Sequence, residues 1–241
     1  MPADMQSVPP PKVRDVFRQW SLEPSPAQWR AFARYVDLLA RANQHTNLTA
    51  YREPEALWLH LIADALSPIP HGLNLHHQRA VDVGSGAGIP GWPLALWFPD
   101  SSFTLIEATG KKARFLRDVA EALQRPVEVL AQRAEVIGHD PAHREQYDWA
   151  FARAVASLPT VLEYMAPLVR PGGRLVVYKG SRVQDEIAQA QRALDVLGLT
   201  LERVIPVQGL PYPRTLVWLR KTHPTPTRYP RRPGIPAKRP L

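Results

Sequence analysis

Apolar residues near the N-terminus recur at helical spacing, whereas from Arg79 onward short apolar runs alternate with amphipathic stretches. The spacing of three to four residues predicts one helix over residues 26–42 and another over residues 54–66. We expect both helices to belong to an extension, residues 12–78, that packs on the main domain. The change of pattern at Arg79 marks the start of that domain.

Strand-like and helix-like stretches alternate regularly after Arg79. The predicted strands cover residues 80–83, 103–106, 127–130, 148–152 and 175–178. The predicted helices cover residues 90–98, 111–123, 158–168 and 183–197. This order predicts parallel strands with right-handed crossovers and helices on both faces of one sheet. We therefore expect one α/β domain over residues 79–221.

Two later strands, over residues 202–207 and 215–220, are predicted without a helix between them. Pro211 and Pro213 lie between these two runs, so we expect a closing hairpin there. One strand of the hairpin is then expected to run antiparallel at the edge of the sheet.

Composition excludes several classes of chemistry. The 241 residues include no cysteine, which removes disulfides, thiolate metal sites and cysteine nucleophiles. No apolar run approaches the roughly 20 residues needed to span a bilayer, and no basic-then-apolar leader opens the chain. We expect a cytoplasmic monomer that holds no metal ion and does not contact a membrane.

The positive charge is concentrated at the C-terminal end. The net charge is +8, and residues 203–241 contain nine Lys and Arg with no acidic residue. Proline is dense at both ends, which predicts a disordered arm over residues 1–11 and an extended basic tail over residues 222–241. Such a tail either binds a polyanion such as nucleic acid or is only a solvated segment.

A glycine-rich turn follows the first predicted strand. Gly84, Gly86 and Gly88 are spaced G-x-G-x-G, and Asp82 stands two positions before the first of them. A dinucleotide-binding turn has the spacing G-x-G-x-x-G, and here its third glycine position holds Ile89. The pattern looks instead like motif I of the S-adenosylmethionine-dependent methyltransferases. There, glycine lets the backbone pass close to the cofactor, and the acidic residue meets the cofactor's ammonium group directly or through water.

Charged residues stand at the ends of the later strands. Glu107 ends the second strand, where a carboxylate can accept both ribose hydroxyls of a nicotinamide or a methionine cofactor alike. Glu135 follows the third strand and either accepts from the adenine amine or caps a helix. Arg153 and Lys179 end the fourth and fifth strands, where they face the same crevice or pair with a surface carboxylate.

Two absences narrow the methyl acceptor. Methylation of cytosine C5 needs a cysteine nucleophile, which this chain lacks. Methylation of an exocyclic amine usually uses an Asn/Asp-Pro-Pro-aromatic element after the fourth strand, where this chain has Arg153-Ala154-Val155-Ala156. A ring nitrogen such as guanine N7 needs no general base, only positioning in line with the methyl group. A site rich in cations and poor in bases fits such an acceptor.

Taken together, these residues resemble the small-subunit ribosomal RNA methyltransferase G family, also called glucose-inhibited division protein B. The resemblance covers roughly residues 43–221, and the basic end over residues 228–234 is similar to that of many members. The matching stretches are Asn47-Leu48-Thr49-Ala50, Asp82 to Leu94, Lys111-Lys112 with Phe115-Leu116, Arg133-Ala134-Glu135, Arg153-Ala154 and Lys179-Gly180.

The resemblance implies a class I S-adenosylmethionine-dependent methyltransferase. Its expected fold is a Rossmann-like seven-stranded sheet with helices on both faces and an N-terminal helical extension. Its implied activity is transfer of a methyl group from S-adenosyl-L-methionine to N7 of one guanine of 16S rRNA near the decoding site, leaving S-adenosyl-L-homocysteine. The implied partner is 16S rRNA or the small ribosomal subunit.

Three sets of site residues follow from the motifs and the resemblance. The predicted cofactor contacts are Asp82, Gly84, Gly86, Ile89, Glu107, Ala134, Glu135 and Arg153. The residues predicted to position the guanine are Arg153 and Lys179. The residues predicted to bind RNA are Asn47, Lys111, Arg228, Arg231 and Arg232.

The second helix of the extension departs from the family pattern. The family has Arg-His-x-x-Asp-Ser there, and aligning Asp64 places His60 at the arginine and Leu61 at the histidine. One residue corresponds to a rotation of about 100° on an α-helix. His60 is therefore not expected to take the family histidine's role, and we interpret it as a histidine without a function.

Three alternatives remain open from the residues alone. A nicotinamide-dependent dehydrogenase is disfavoured by the glycine spacing and by the lack of an evident hydride-relay pair. A non-catalytic RNA-binding protein with a methyltransferase fold is disfavoured by the intact motif residues. A small-molecule methyltransferase would not need the basic tail.

Overall fold

The N-terminal part of the chain is helical. The structure, a computed structural model, describes residues 9–241, so residues 1–8 of the predicted disordered arm lie outside the described residues. Helix α1 (Pro11–Gln19) begins where that arm was expected to end. Helix α2 (Pro26–Thr46) begins with a capping box, in which Ser25 and Gln28 satisfy each other's backbone amides.

The second predicted helix of the extension is present but contains a wide turn. It consists of α3 (Pro54–Leu57), a π-helical stretch (Trp58–Ala63) and α4 (Asp64–Leu66). A π turn contains about one residue more than an α turn and is often found at functional sites. Here it changes the direction in which His60 and Asp64 point relative to the preceding turn.

Within residues 9–241, seven strands form one sheet in the order β3-β2-β1-β4-β5-β7-β6. The strands are β1 (Arg79–Val83), β2 (Ser102–Ile106), β3 (Glu128–Leu130), β4 (Tyr147–Arg153), β5 (Val169–Lys179), β6 (Leu199–Pro206) and β7 (Thr215–Lys221). The remaining helices are α5 (Gly91–Trp97), α6 (Gly110–Ala122), α7 (Ala134–Ile137), α8 (Leu158–Met165), α9 (Val183–Gln189), α10 (Gln191–Leu197) and α11 (Ile235–Lys238). The predicted α/β alternation is confirmed, although the helix expected over residues 183–197 is two helices that meet at Ala190.

The strand order reverses between β1 and β4. Both strands are parallel neighbours, with Val81 beside Ala150, while the chain leads from β1 outward to β2 and β3 first. In open α/β sheets a crevice forms outside the carboxyl ends of the strands at such a switch point, and ligands bind there. The glycine turn after β1 and the loop after β4 form the two sides of this crevice.

The antiparallel strand lies one position further inside the sheet than expected. Strand β7 is antiparallel to both β5 and β6, and β6 forms the edge. The burial pattern explains this order, because residues 216–219 of β7 are buried on both faces, whereas most of β6 is partly or fully exposed. The charged Glu202 and Arg203 and the terminal Pro206 of β6 suit an edge strand.

Apolar side chains form one core on each face of the sheet. On one face the helical extension packs against α5 and α6, and large buried side chains such as Phe32, Trp58, Trp92 and Trp218 fill the space. On the other face α8 and α10 pack against β4, β5 and β7. Along residues 9–241, no helix has both the length and the apolar character needed to cross a membrane.

The C-terminal tail, predicted to be extended from its proline content, lies on the surface of the domain and contains one short helix, α11. Arg144 donates to the carbonyls of Thr225 and Tyr229 at 2.7 and 2.9 Å, and His139 Nε2 lies 2.7 Å from the carbonyl of Pro230. Tyr229 is buried. Side chains of the domain therefore satisfy backbone carbonyls of the tail that are not paired in a strand. These hydrogen bonds fix the tail on the surface of the domain.

Candidate active site

The glycine turn after β1 has a conformation that L residues rarely adopt. Gly84 and Gly86 have φ of +71° and +58°, and the amide of Gly84 donates to the carbonyl of Ile106 at 2.9 Å. A Cβ added to Gly84 would lie 2.7 Å from Cγ2 of Val155, across the crevice. The turn therefore places bare backbone at the junction of β1 and β4.

Glu107, at the end of β2, is tied to this turn. Its Oε2 accepts from the amide of Gly86 at 2.9 Å, and its Oε1 accepts from the amide of Thr109 at 2.7 Å. Each carboxylate oxygen has a second acceptor position. Glu107 thus fixes the turn and still has acceptor capacity for hydroxyl groups at the ends of β1 and β2.

Asp82 is fully buried beneath the turn. Its Oδ2 accepts from the amide of Gly91 at 2.9 Å, at the start of α5, and its Oδ1 has no hydrogen-bond partner within residues 9–241. Burial raises the pKa of this carboxyl to about 7. The side chain supports the turn, and its predicted contact with the cofactor's ammonium group, directly or through water, stays a prediction.

A cavity of about 240 Å³ lies beside the glycine turn. Predicted cofactor contacts that line it are Gly84, Ala134 and Glu135, together with Val155 from the loop after β4. Ile89 does not line this cavity and is buried in the core. Glu135 is also buried, and its Oε1 accepts from the amide of Gly234 in the C-terminal tail at 2.9 Å. We call this region, at the ends of β1–β3, the turn side of the crevice.

The opposite side is built around a buried carboxylate. Asp64 of α4 has no exposed side-chain surface and pairs with two arginines, Arg153 at the end of β4 and Arg214 just before β7. Arg153 Nε lies 2.9 Å from Oδ2, and Arg214 binds both oxygens at 2.7 Å. Arg214 also donates to the carbonyl of Lys179 at 3.2 Å. We call this region the arginine side.

Three stacked rings lie next to this ion-pair cluster. His60 lies between Tyr51 and Tyr212, with ring centroids 3.8 and 4.0 Å away and interplanar angles of 6° and 12°. Burial lowers the pKa of His60, and its Nδ1 is buried with no hydrogen-bond partner within residues 9–241. The Tyr212 hydroxyl donates to the carbonyl of Leu59 at 3.1 Å. His60 therefore joins the loop before β7 to the helical extension.

Lys179 is turned away from the open crevice. Its Nζ donates to the carbonyl of Ala156 at 2.7 Å and to Glu186 of α9 at 2.6 Å, and the side chain is mostly buried. Glu186 also accepts from the amide of Leu158. This side chain holds the loop after β4 in place, and the predicted role in positioning a guanine stays a prediction.

The residues predicted to bind RNA do not form one group. Asn47 is exposed in a left-handed conformation at the end of α2, and Lys111 is exposed at the start of α6. Arg228 and Arg232 are exposed in the tail. Arg231 differs, because it is partly buried and its guanidinium pairs with the fully buried Glu163.

Sequence reasoning missed several residues on the arginine side. Arg214 and Tyr51 belong to no motif that the sequence shows. Asp64 was used only to align the helix motif of the family, and Tyr212 was noted only for the prolines beside it. Their partners are far away in the sequence, since Arg214 and Asp64 are 150 residues apart. The acidic residue inside the apolar helix 54–66 is the one signal that could have indicated a buried ion pair.

Strand order and glycine turn together define a class I S-adenosylmethionine-dependent methyltransferase fold, and solved structures share it. The pyocyanin biosynthetic protein PhzM matches with a TM-score of 0.54 and 15% identity, over 70% of this chain and 57% of that one. Aeropyrum pernix fibrillarin in complex with S-adenosyl-L-methionine matches with a TM-score of 0.53 and 15% identity, over 65% and 73% of the two chains.

Sequence comparison is more specific than the fold. The family model described as rRNA small subunit methyltransferase G (GidB) matches residues 28–210. The ribosomal RNA small subunit methyltransferase G of Chloroflexus aggregans is 46% identical, over 92% of this chain and 94% of that protein. Its counterpart in Rubrobacter xylanophilus is 41% identical, over 95% and 91%. The chain belongs to the rRNA small subunit methyltransferase G family.

Proposed function

We propose that this chain transfers a methyl group from S-adenosyl-L-methionine to N7 of one guanine of 16S rRNA near the decoding site. The observation that carries the proposal is the turn side of the crevice, in a chain that belongs to this methyltransferase family. Gly84, Gly86 and Glu107 stand together there at the switch point of the sheet. The dehydrogenase alternative has no support from the family match.

The turn side fits the aminoacyl and nucleoside parts of S-adenosyl-L-methionine. Gly84 offers backbone that a side chain would block, and Glu107 retains acceptor positions for the ribose. Within residues 9–241 the buried Oδ1 of Asp82 has no partner, so a positive charge nearby would favour the ionised form of this carboxyl. The cofactor supplies an electrophilic methyl group on a sulfonium sulfur.

The arginine side fits a methyl acceptor that loses no proton. Asp64 is occupied by Arg153 and Arg214, and Glu186 by Lys179. His60 is held between two rings, and burial lowers its pKa, which makes it a weaker base. Guanine N7 attacks with its own lone pair, so what the chain must supply is orientation. The arginines and the aromatic rings on this side provide charge and flat surface for a nucleotide.

The test is methylation of 16S rRNA that lacks the modification. We expect the purified full chain and S-adenosyl-L-methionine to produce one 7-methylguanosine, mapped by nuclease digestion and mass spectrometry. Naked RNA and small ribosomal subunits should be compared, because the substrate form is part of the proposal. Calorimetry should show binding of S-adenosyl-L-homocysteine and not of NAD. A chain that binds RNA and S-adenosyl-L-homocysteine but forms no 7-methylguanosine would contradict the proposed activity.

The remaining expectations concern where and in what form the chain acts. We propose a cytoplasmic monomer, in which Asn47, Lys111, Arg228 and Arg232 contact the RNA. Their exposed side chains are available for phosphate contacts. Replacing each of the three cationic residues among them with alanine should lower the salt dependence of RNA binding, measured by titration at several salt concentrations.

A further inference from the structure

The C-terminal tail, residues 222–241, is anchored to the domain by buried polar groups. Glu163 of α8 has no exposed side-chain surface, and it accepts from the backbone amide and the guanidinium of Arg231 at distances between 2.6 and 3.1 Å. A buried carboxylate without a partner is costly, so this pair fixes the tail at residue 231. Further back, Lys221 Nζ donates to Thr225 Oγ1 at 2.6 Å.

Beyond Arg231 the tail turns toward the cavity on the turn side. The amide of Gly234 donates to Glu135 at 2.9 Å, and Thr160 Oγ1 donates to the carbonyl of Pro236 at 3.1 Å. Pro236 is buried, and Ala237 of α11 lines the same cavity as Gly84 and Glu135. The last residues of the chain therefore form part of the cavity's surface.

We propose that residues 234–241 form one wall of the cofactor site, at the end that holds the adenine. The residues that line the cavity extend from Gly84, past the end of β2, to Ala134 and Glu135 after β3. Ala237 lines the cavity too, and the hydrogen bond from Gly234 to Glu135 places its segment at the β3 end. Glu107 marks the ribose position between the two ends. This inference rests on the proposed function, because it assumes that the cavity binds the nucleoside of S-adenosyl-L-methionine.

The position of Glu135 supports this assignment. The Oε1 of its carboxylate accepts from the amide of Gly234, so its contact with the tail is part of the cavity wall. An apolar methyl group from Ala237, the side chain of Ile106 and the ring of Tyr164 offer apolar surface to a flat base on the same cavity. Removal of the tail would leave Glu135 and Glu163 without these partners and would open the cavity to water.

The first test separates the wall from its anchors. A variant that ends at Gly234 keeps the Arg231–Glu163 pair and the Gly234–Glu135 hydrogen bond but lacks α11. We expect its dissociation constant for S-adenosyl-L-homocysteine, measured by calorimetry, to rise at least tenfold. Circular dichroism and thermal unfolding without ligand check that the domain is folded.

A second variant does not depend on truncation. Ala237 is exposed, so Ala237→Glu is compatible with the fold and adds a charge that a bound adenine would have to desolvate. We expect a rise in the same dissociation constant of at least fivefold. The control is Ala27→Glu, which adds the same charge at an exposed alanine of α2 and should change that constant less than twofold.

The outcomes distinguish this inference from the proposed function. If both the truncation and Ala237→Glu bind S-adenosyl-L-homocysteine within twofold of the unmodified chain, the tail is not a wall of the site, and the proposed function stands. If the unmodified chain does not bind S-adenosyl-L-homocysteine, the proposed function and this inference both fail.

Discussion

The two sides of the crevice differ in how far apart in the sequence their contacts lie. On the turn side, Asp82 binds the amide of Gly91, and Glu107 binds that of Gly86, over nine and 21 residues. On the arginine side, Asp64 binds Arg214, which is 150 residues away in the sequence. With Arg153, this side combines residues from three separate parts of the chain. The glycine turn is therefore a local motif that depends on backbone conformation, whereas the arginine side exists only when the whole domain has folded.

The two sides also differ in which property of their residues matters most. Backbone geometry on the turn side tolerates few substitutions because φ is positive and the space is filled. Charge balance on the arginine side depends on one carboxylate shared by two guanidinium groups. We expect substitutions on the arginine side to affect folding and methyl transfer together, and substitutions on the turn side to affect cofactor binding most.

Asp64→Asn is expected to have the largest effect. The change leaves Arg153 and Arg214, both largely buried, without their shared carboxylate. Removing one member of a buried ion pair costs about 3–5 kcal/mol of stability. Misplacement of the arginines by about 1 Å is expected to lower kcat for methylation by roughly 100-fold. Urea unfolding and single-turnover methylation measure the two effects.

The exposed pair of Asp15 and Arg18 provides the control. Asp15→Asn removes a carboxylate of an exposed pair, and such pairs contribute between about 0 and 1 kcal/mol. If Asp64→Asn unfolds at the same urea concentration as Asp15→Asn, the carboxylate does not hold the arginine side together.

Gly84→Ala is expected to have the next largest effect, now on the turn side. An alanine at φ of +71° is strained by about 1–2 kcal/mol, and its Cβ would lie against Val155. Since the same methyl group narrows the approach of a ligand to the backbone, we expect the dissociation constant for S-adenosyl-L-homocysteine to rise at least tenfold. Calorimetry measures this change.

Gly72 gives a matched control. It has φ of +95°, and no other atom lies within 4 Å of an added Cβ. Gly72→Ala should therefore carry a similar backbone strain and leave cofactor affinity unchanged. Equal losses of affinity in the two variants would mean that the effect of Gly84→Ala comes from strain alone.

The contrast also explains how much could be predicted from the sequence. The strands and the glycine turn were predictable, because short apolar runs and G-x-G-x-G spacing are local patterns. Asn47 and Lys111 were predicted from the family pattern. Their side chains are exposed, so their predicted role in RNA binding rests on that pattern and not on a contact within the fold.

Long-range packing accounts for what was missed. The inner position of β7 follows from burial on both faces, which a hairpin pattern does not specify. The prolines of the tail predicted an extended conformation but not its attachment to the domain, which depends on Arg144 and Glu163, far away in sequence. His60 was interpreted as having no function, and the structure shows it within a ring stack that a one-residue shift in a motif could not indicate.

Asp82→Asn tests the buried carboxyl of the turn side through pH. The folded state raises the pKa of Asp82 to about 7, whereas an unfolded aspartate titrates near 4. Between these values the folded chain binds a proton that the unfolded chain has released, so the free energy of unfolding falls as the pH rises. One proton corresponds to about 1.4 kcal/mol per pH unit.

Asparagine does not titrate, so the variant Asp82→Asn lacks this contribution to the pH dependence of stability. The free energy of unfolding is measured for the unmodified chain and for Asp82→Asn between pH 4 and pH 7. The difference, unmodified chain minus variant, should fall with rising pH at about the slope that corresponds to one proton. Other titrating groups cancel in the subtraction. A difference that stays constant over this range would mean that the carboxyl is ionised throughout.

Tyr212→Leu is expected to have the smallest effect and tests the ring stack of the arginine side. The change removes one ring from His60, and stacked aromatic pairs contribute about 0.5–1.5 kcal/mol. Tyr212→Phe keeps the ring and removes only the hydroxyl that donates to Leu59. We expect Tyr212→Leu to be less stable than Tyr212→Phe by about 1 kcal/mol and to have the higher KM for RNA, measured by urea unfolding and steady-state methylation. Because the ring of Tyr212 stacks on His60 and its hydroxyl donates to Leu59, both in the helical extension, both variants should bind S-adenosyl-L-homocysteine as the unmodified chain does. Weaker binding of S-adenosyl-L-homocysteine by Tyr212→Leu would show that the two sides of the crevice are coupled.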